Sequence, residues 1–314
     1  MLLSMLLPHA GFITLGLVWQ WLKFFDLTAV VLRRHLNALV FSLLLPAYIL
    51  SYLWHAKLSM NMFISSGLIL FSVLVSLALC WFWLKGKKWA GPTKGAMLLA
   101  AGFPAVFALG VPVVSISTAI WAQRLAIEAG ALVVLPLLFS LGSHVAYRLG
   151  DKSKQALPKP LMLHKMPMFW AVVTGLALNY FMIAEPVELN LWLKNLSAGV
   201  FPLLLVATGA SLRWNKAWGR FVLKMLPLFV ITLIVAPLLV WLAAQLLDYD
   251  KPKTLTSLIL LAGLPAMTLG FSICERYRLD VTAYNLVFSA TSVLSVVTIP
   301  GWIYAIKVGW LPLS

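Results

Sequence analysis

The sequence predicts an all-α membrane protein with ten transmembrane helices in two inverted five-helix repeats, the fourth and ninth helices being broken. Three observations predict it. The 314-residue chain is 62% hydrophobic and 11% charged, far from the balance of about 25% charged residues usual in soluble domains. Ten apolar runs follow one another, separated by short polar or basic connections. One pattern also occurs twice, as AGFPAVFALG from Ala101 and AGLPAMTLGF from Ala262, with Pro265 lying 161 positions after Pro104.

The first run, Leu2 to Phe25, has no Lys or Arg ahead of it and no small-residue cleavage site behind, so a retained helix is expected rather than a signal peptide. Runs two and three cover Leu36 to Trp54 and Asn61 to Leu84. Run four, Gly95 to Trp121, carries the first copy of the repeat, and run five covers Leu125 to Tyr147. The longest polar connection, Arg148 to Lys165, is rich in Lys, Ser, Asp and Pro and too short for a folded domain. Its residues 151–165 are the expected cytoplasmic linker between a repeat at 1–150 and a repeat at 166–314. Runs six to eight are Met166 to Ala184, Leu191 to Leu212 and Met225 to Leu247. Run nine, Thr254 to Cys274, carries the second copy, and run ten is Val281 to Ile306.

Proline and glycine inside runs four and nine interrupt the helical ladder. Unpaired backbone groups cost several kcal/mol each in hydrocarbon, so an interruption persists only where it is buried in protein or lines a wet cavity. Paired interruptions in two halves point to a transporter's binding site, whereas two plain proline kinks would carry no ligand. A second pair, Pro46 and Pro202, is 156 apart and sets runs two and seven in equivalent places.

Basic residues fix the sidedness. Lys23, Arg33 and Arg34 follow run one, Lys85, Lys87, Lys88 and Lys94 follow run three, and Arg148, Lys152, Lys154, Lys159 and Lys165 follow run five. Arg213, Lys216, Arg220 and Lys224 follow run seven, and Arg276 and Arg278 follow run nine, so 18 of 24 Lys and Arg share one side. That side is expected to be cytoplasmic, with both termini extracytoplasmic in a cell membrane. Five helices per half is an odd number, so the second half enters inverted. The formal charge of +15 is spread over these connections rather than gathered on one basic face, which argues against nucleic acid. Tryptophans such as Trp19, Trp54, Trp81, Trp121, Trp192 and Trp214 sit near run ends, as an interfacial belt would. Cys80 and Cys274 lie in or at the end of apolar runs, and no cofactor or metal motif occurs.

Several stretches, in order along nearly the whole chain, resemble the auxin efflux carrier family and its bacterial permeases. They are LNALVFSLLLPAYIL from Leu36, FALGVPVV from Phe107, LSAGVFPLLLVATGASL from Leu196, and AGLPAMTLGFSICERYRLD from Ala262 followed by SATSVLSVVTIP. The resemblance implies a ten-helix inverted-repeat carrier whose fourth and ninth helices cross at mid-membrane, working by an elevator movement on organic anions such as carboxylates. Where the family often carries Asn in the first crossing, this chain has Pro104 and Ala105; its Gly110-Val111-Pro112 element is retained. A homodimer through scaffold helices is compatible with this reading.

The nine acidic residues, Glu128 and Glu275 among them, are expected in loops or at helix ends, which argues against a sodium/proton antiporter of the paired-aspartate kind. Without buried Lys or Arg, an anion would be held by half-helix N-termini, each worth about +0.5 charge, so a monoanion fits best. The expected substrate-binding set is Pro104, Gly110, Pro112, Ser115, Ser117, Gly263, Pro265, Thr268, Gly270, Ser272 and Asn285, with Thr118 nearby. Any one Ser or Thr can instead bond back to its own helix. Asn37 and Asn179 suit helix bridging better than substrate. His144 and Glu275 sit at helix ends. A sodium-coupled carrier of the bile-acid or arsenite type would need polar clusters around the breaks. A membrane enzyme would need paired catalytic groups at matching depth, and a non-transporting receptor or scaffold would need no transport site.

Overall fold

The computed structural model describes residues 2–22, 26–153, 157–213 and 218–311. Lys23, Lys154, Trp214 and Lys216, used in the charge and aromatic readings, lie outside the described residues. Apart from one isolated β-bridge, every regular element among the described residues is helical. In order they are α1 (Leu2–Leu22), α2 (Ala29–Trp54), α3 (Met60–Lys85), α4 (Gly91–Gly102), α5 (Val106–Ser117), α6 (Ile120–Leu149), α7 (Pro167–Tyr180) and α8 (Val187–Ser211). Then come α9 (Trp218–Lys224), α10 (Leu226–Leu246), α11 (Pro252–Ala262), α12 (Leu269–Arg276) and α13 (Val281–Lys307). Six of these, α2, α3, α6, α8, α10 and α13, are long and apolar enough to cross a membrane.

The apolar runs fall on these helices, and two starts move furthest. α2 begins at Ala29 rather than Leu36, because the Thr28 hydroxyl accepts from the Val31 N–H at 3.4 Å and so caps an added amphipathic turn. Arg33 is thereby helical and buried, against the expectation that buried Lys and Arg are missing. α6 begins at Ile120 rather than Leu125, through a 3₁₀ turn at Ile120–Ala122 that feeds the helix.

Four prolines inside helices are absorbed in the same way. A π-helical turn precedes each of Pro46, Pro112, Pro136 and Pro237, spanning Val40–Leu44, Val106–Gly110, Ala129–Val134 and Ile231–Val235. In each the residue just before the proline donates five residues back, for example Leu45 to Val40 and Ala236 to Ile231. The widened turn relieves the clash between the proline ring and the carbonyl one turn earlier, so these helices continue instead of ending.

The chain divides into two compact units, each drawing on both halves of the sequence. The first holds Leu3–Met60 and Leu161–Ser211, which is α1, α2, α7 and α8. Within it α7 packs on the second half of α2, and the second half of α8 on the first half of α2. Helices α1 and α8 meet backbone to backbone. A Cβ on Gly16 would stand 2.1 Å from the Val206 carbonyl oxygen, and one on Gly209 1.9 Å from that of Ile13, so only glycine permits this approach. Asn179 bridges helices as expected, its Nδ2 lying 3.0, 2.8 and 2.8 Å from the carbonyl oxygens of Leu53, Trp54 and Ala56 at the end of α2.

The second unit holds Asn61–Pro160 and Leu212–Ser314, which is α3 to α6 and α9 to α13. In it α4 packs on α13 and on the end of α6, while α10, α11 and α12 pack in sequence with α13. Asp280 is structural. Its Oδ1 accepts from the Ala283 N–H at 3.0 Å to cap α13, and its Oδ2 accepts from the Thr93 hydroxyl at 3.0 Å on α4.

Candidate functional site

In the second unit α4 ends at Gly102 and α5 begins at Val106, while α11 ends at Ala262 and α12 begins at Leu269. The residue before a proline is pushed out of helical geometry, and Phe103, before Pro104, is extended at φ −120° and ψ 104°. The two links run past each other antiparallel. Pro104 bridges Ala266, and the Ala105 N–H donates to the Pro265 carbonyl at 2.8 Å. The 161-residue offset carries Pro104 onto Pro265 and Ala105 onto Ala266. Each copy of the motif therefore lies against its own equivalent at this contact.

Backbone groups released by the links find partners, as burial demands. The Thr232 hydroxyl donates to the Ala101 carbonyl at 2.9 Å, the Ala266 N–H donates to the Thr291 hydroxyl at 3.3 Å, and the Tyr284 hydroxyl donates to the Met267 carbonyl at 2.6 Å. Thr232, Thr291 and Tyr284 are all buried. None of the three was singled out in the sequence, because what defines them is proximity to links far away along the chain.

Of the expected site residues, Pro104 and Pro265 are brought together at this contact and both are buried. Gly110 faces α11, where an added Cβ would lie 2.8 Å from Leu261 Cδ2, and Pro112 opens the α-helical part of α5. An added Cβ on Gly263 would lie 2.9 Å from Pro237 Cγ, and Gly270 lies beneath the Tyr284 ring, whose oxygen would be 2.0 Å from an added Cβ. Thr268 is buried at the start of α12, its carbonyl accepting from the Phe271 N–H at 3.2 Å. Ser115 bonds back to the Val111 carbonyl of its own helix, as a membrane serine commonly does. Ser117 and Ser272 are half-buried on α5 and α12. Asn285, also half-buried, accepts from the Ser289 hydroxyl at 3.3 Å. Thr118 accepts from the Ser257 hydroxyl at 3.0 Å, joining α5 to α11.

Two features lay outside the sequence expectation. A cavity of about 10 Å³, room for roughly one water-sized particle, adjoins Pro104 and is lined by Ser72, Ser76, Thr232 and the last residues of α4 and α11. The Ser76 hydroxyl is buried without a hydrogen-bond partner among the described residues. The serines at 65, 72 and 76 fall on one buried face of α3, a spacing of seven and four that marks a polar stripe in an apolar run. The second is Glu128. Because α6 starts at Ile120, Glu128 lies about 12 Å inside that helix and is 5% exposed, so the expectation that every acid falls in a loop or at a helix end fails there.

The electrostatics of the links follow from helix direction. α5 and α12 start at the links, presenting about half a positive charge each, while α4 and α11 end there with the opposite sign. Helix ends of opposite partial charge thus sit on adjacent sides of one contact.

Comparison with known proteins bears on what such a contact serves. A family model described as Membrane transport protein matches residues 157–303. A relative from Rhizobium meliloti (strain 1021) named "Putative malonate transporter" is 27% identical over 173 residues. That match covers 52% of this chain and 52% of the relative, so the similarity spans about half the length of each. With its apolar helices, the chain is a multi-pass membrane protein, and over residues 157–303 it is similar to the membrane transport protein family.

Proposed function

We propose that this protein is a secondary transporter of a small organic anion, a carboxylate, working as an efflux permease by an elevator-type alternating-access mechanism. The observation that carries the reading is the antiparallel contact of the two AGxPA copies, which sets the starts of α5 and α12 at one place. On this reading α4 with α5 and α11 with α12 are the broken fourth and ninth of ten membrane helices in two inverted repeats, at 1–150 and 166–314, joined by the 151–165 linker. Their links cross at mid-membrane. The second unit is the transport domain and the first the scaffold, through which a homodimer would form. The protein lies in the cell membrane with both termini extracytoplasmic.

Substrate meets Pro104, Gly110, Pro112, Ser115, Ser117, Gly263, Pro265, Thr268, Gly270, Ser272 and Asn285, the buried prolines and glycines acting by shaping the backbone and the half-buried hydroxyls and amide by direct contact. The name of the Rhizobium relative supports a carboxylate such as malonate. Both carboxyls of a dicarboxylate are ionised at neutral pH, and two half-helix N-termini offset about one negative charge. The second charge is met by moving as the singly protonated species or with a coupled proton, for which Glu128 is the buried carboxylate available.

A second reading, a sodium-coupled carrier, is favoured by the Ser72, Ser76 and Thr232 cavity, since hydroxyls beside half-helix C-termini are suited to a bare monovalent cation. Uptake of labelled malonate and other carboxylates into proteoliposomes tests the transport reading. Saturable uptake that empty liposomes lack supports it. A protein that binds carboxylates yet shows no flux would instead be a receptor.

A further inference from the structure

We propose that a groove on the second unit, between α3, α4 and α6, binds one anionic membrane phospholipid, its acyl chain along the groove and its phosphate at Arg148. The groove encloses about 370 Å³, within the range of ligand pockets. Its walls are apolar, formed by Leu74, Trp81, Leu98 and Val145 among others, and its floor includes Phe103, the residue before Pro104. Gly142 keeps this floor open, since a Cβ there would lie 3.2 Å from the Phe103 ring.

The occupant must be amphipathic. The polar lining groups His144 and Arg148 stand one turn apart on α6, and Arg148 lies toward one end of the groove, about 10 Å along the helix from Leu141. Arg148 is exposed, and its Nε donates to His144 Nε2 at 3.3 Å, an arrangement that orients the guanidinium plane while leaving its terminal N–H groups for an oxyanion. Lys87 and Lys152, on the connections that follow α3 and α6, stack over Trp83 and Tyr147 at 4.8 and 5.1 Å, adding positive potential near the same membrane surface. An anionic headgroup complements that end. A zwitterionic one would bring a second cation toward Arg148. The chain of a lipid, already in the bilayer, fits the apolar part better than a dissolved anion does.

The test is native mass spectrometry of the full chain in mild detergent, with phosphatidylglycerol and phosphatidylcholine of identical acyl chains. Phosphatidylglycerol should be retained preferentially. Arg148→Gln should lower its retention about fivefold, the factor supplied by one basic residue at an anionic surface, and leave phosphatidylcholine unchanged. Ala78→Trp, at an exposed wall position of the groove, should reduce retention of both lipids. Inorganic phosphate, which has no chain, should not displace the lipid. Wild-type retention of phosphatidylglycerol by Arg148→Gln, or displacement by phosphate alone, overturns the proposal. Because lipid retention is read without any flux, its outcome is separate from that of the transport reading.

Discussion

Tyr284 shows how one side chain can hold a broken backbone in place. Its ring is buried against Phe271 with centroids 4.6 Å apart, its hydroxyl donates to Met267, and the absence of a side chain at Gly270 makes room for it. Gly270→Ala would drive the ring away, an overpacking expected to cost about 1–3 kcal/mol. Tyr284→Phe keeps the ring and removes the hydroxyl, expected to cost about 1 kcal/mol. Denaturant unfolding in detergent should rank wild type above Tyr284→Phe and that above Gly270→Ala; equal stability of all three would remove this packing from the account. At this scale the sequence was readable where chemistry is local and unreadable where it is not. The pairing of Pro104 with Pro265 follows from a repeated motif, and the bridging of Asn179 from its place in an apolar run. Thr232, Thr291 and Tyr284 acquire their roles only when runs eight and ten fold onto the links. Glu128 was misplaced because a hydropathy reading starts a helix at its first long apolar stretch, whereas a 3₁₀ turn at Ile120–Ala122 starts it earlier.

Helices here separate prolines that are tolerated from prolines that terminate. Pro46, Pro112, Pro136 and Pro237 each follow a π turn and leave the helix continuous, while Pro104 and Pro265 stand outside helix altogether. The difference lies in the neighbours. A glycine two residues before the proline does not decide it, since Gly110 stands so before the tolerated Pro112; at the breaks the opposing link supplies a hydrogen bond that a continued helix would have made, from the Ala105 N–H to the Pro265 carbonyl. Pro104→Ala or Pro265→Ala restores an N–H donor and is expected to favour continuous helix through the link. Proteoliposome uptake should then fall several-fold relative to the amount of protein inserted. Wild-type flux in both variants would take these positions out of the mechanism. Most element positions were legible from apolar length, since every run meets a helix. The ends were less so, because hydroxyl caps such as Thr28 and short 3₁₀ turns extend helices into stretches whose composition reads as loop.

Charge governs the behaviour of the whole molecule. On the ten-helix reading 18 of 24 basic residues share one side, so cysteines placed at the exposed positions Lys57 and Lys251 should label from outside intact cells, and one at Lys87 only after permeabilisation; the reverse pattern would invert the orientation. The charge that crosses fixes the sign of the voltage effect on transport. If the substrate crosses as a bare monoanion, each elementary charge moved across the membrane contributes about 2.3 kcal/mol per 100 mV, so an inside-negative potential drives export and opposes uptake. Potassium and valinomycin set that potential in proteoliposomes with pH equal on both sides. Carboxylate uptake should rise when the interior is made positive and should be unchanged when choline replaces sodium. A proton moving with each anion would cancel the charge and replace voltage dependence with pH dependence. In that case Glu128→Gln, which keeps the shape of the buried group and removes its titration, should flatten the pH profile. Flux indifferent to voltage but lost without sodium would instead place the coupling ion in the hydroxyl cavity. Ser76→Ala should then weaken the sodium response, because the buried hydroxyl it deletes has no hydrogen-bond partner among the described residues.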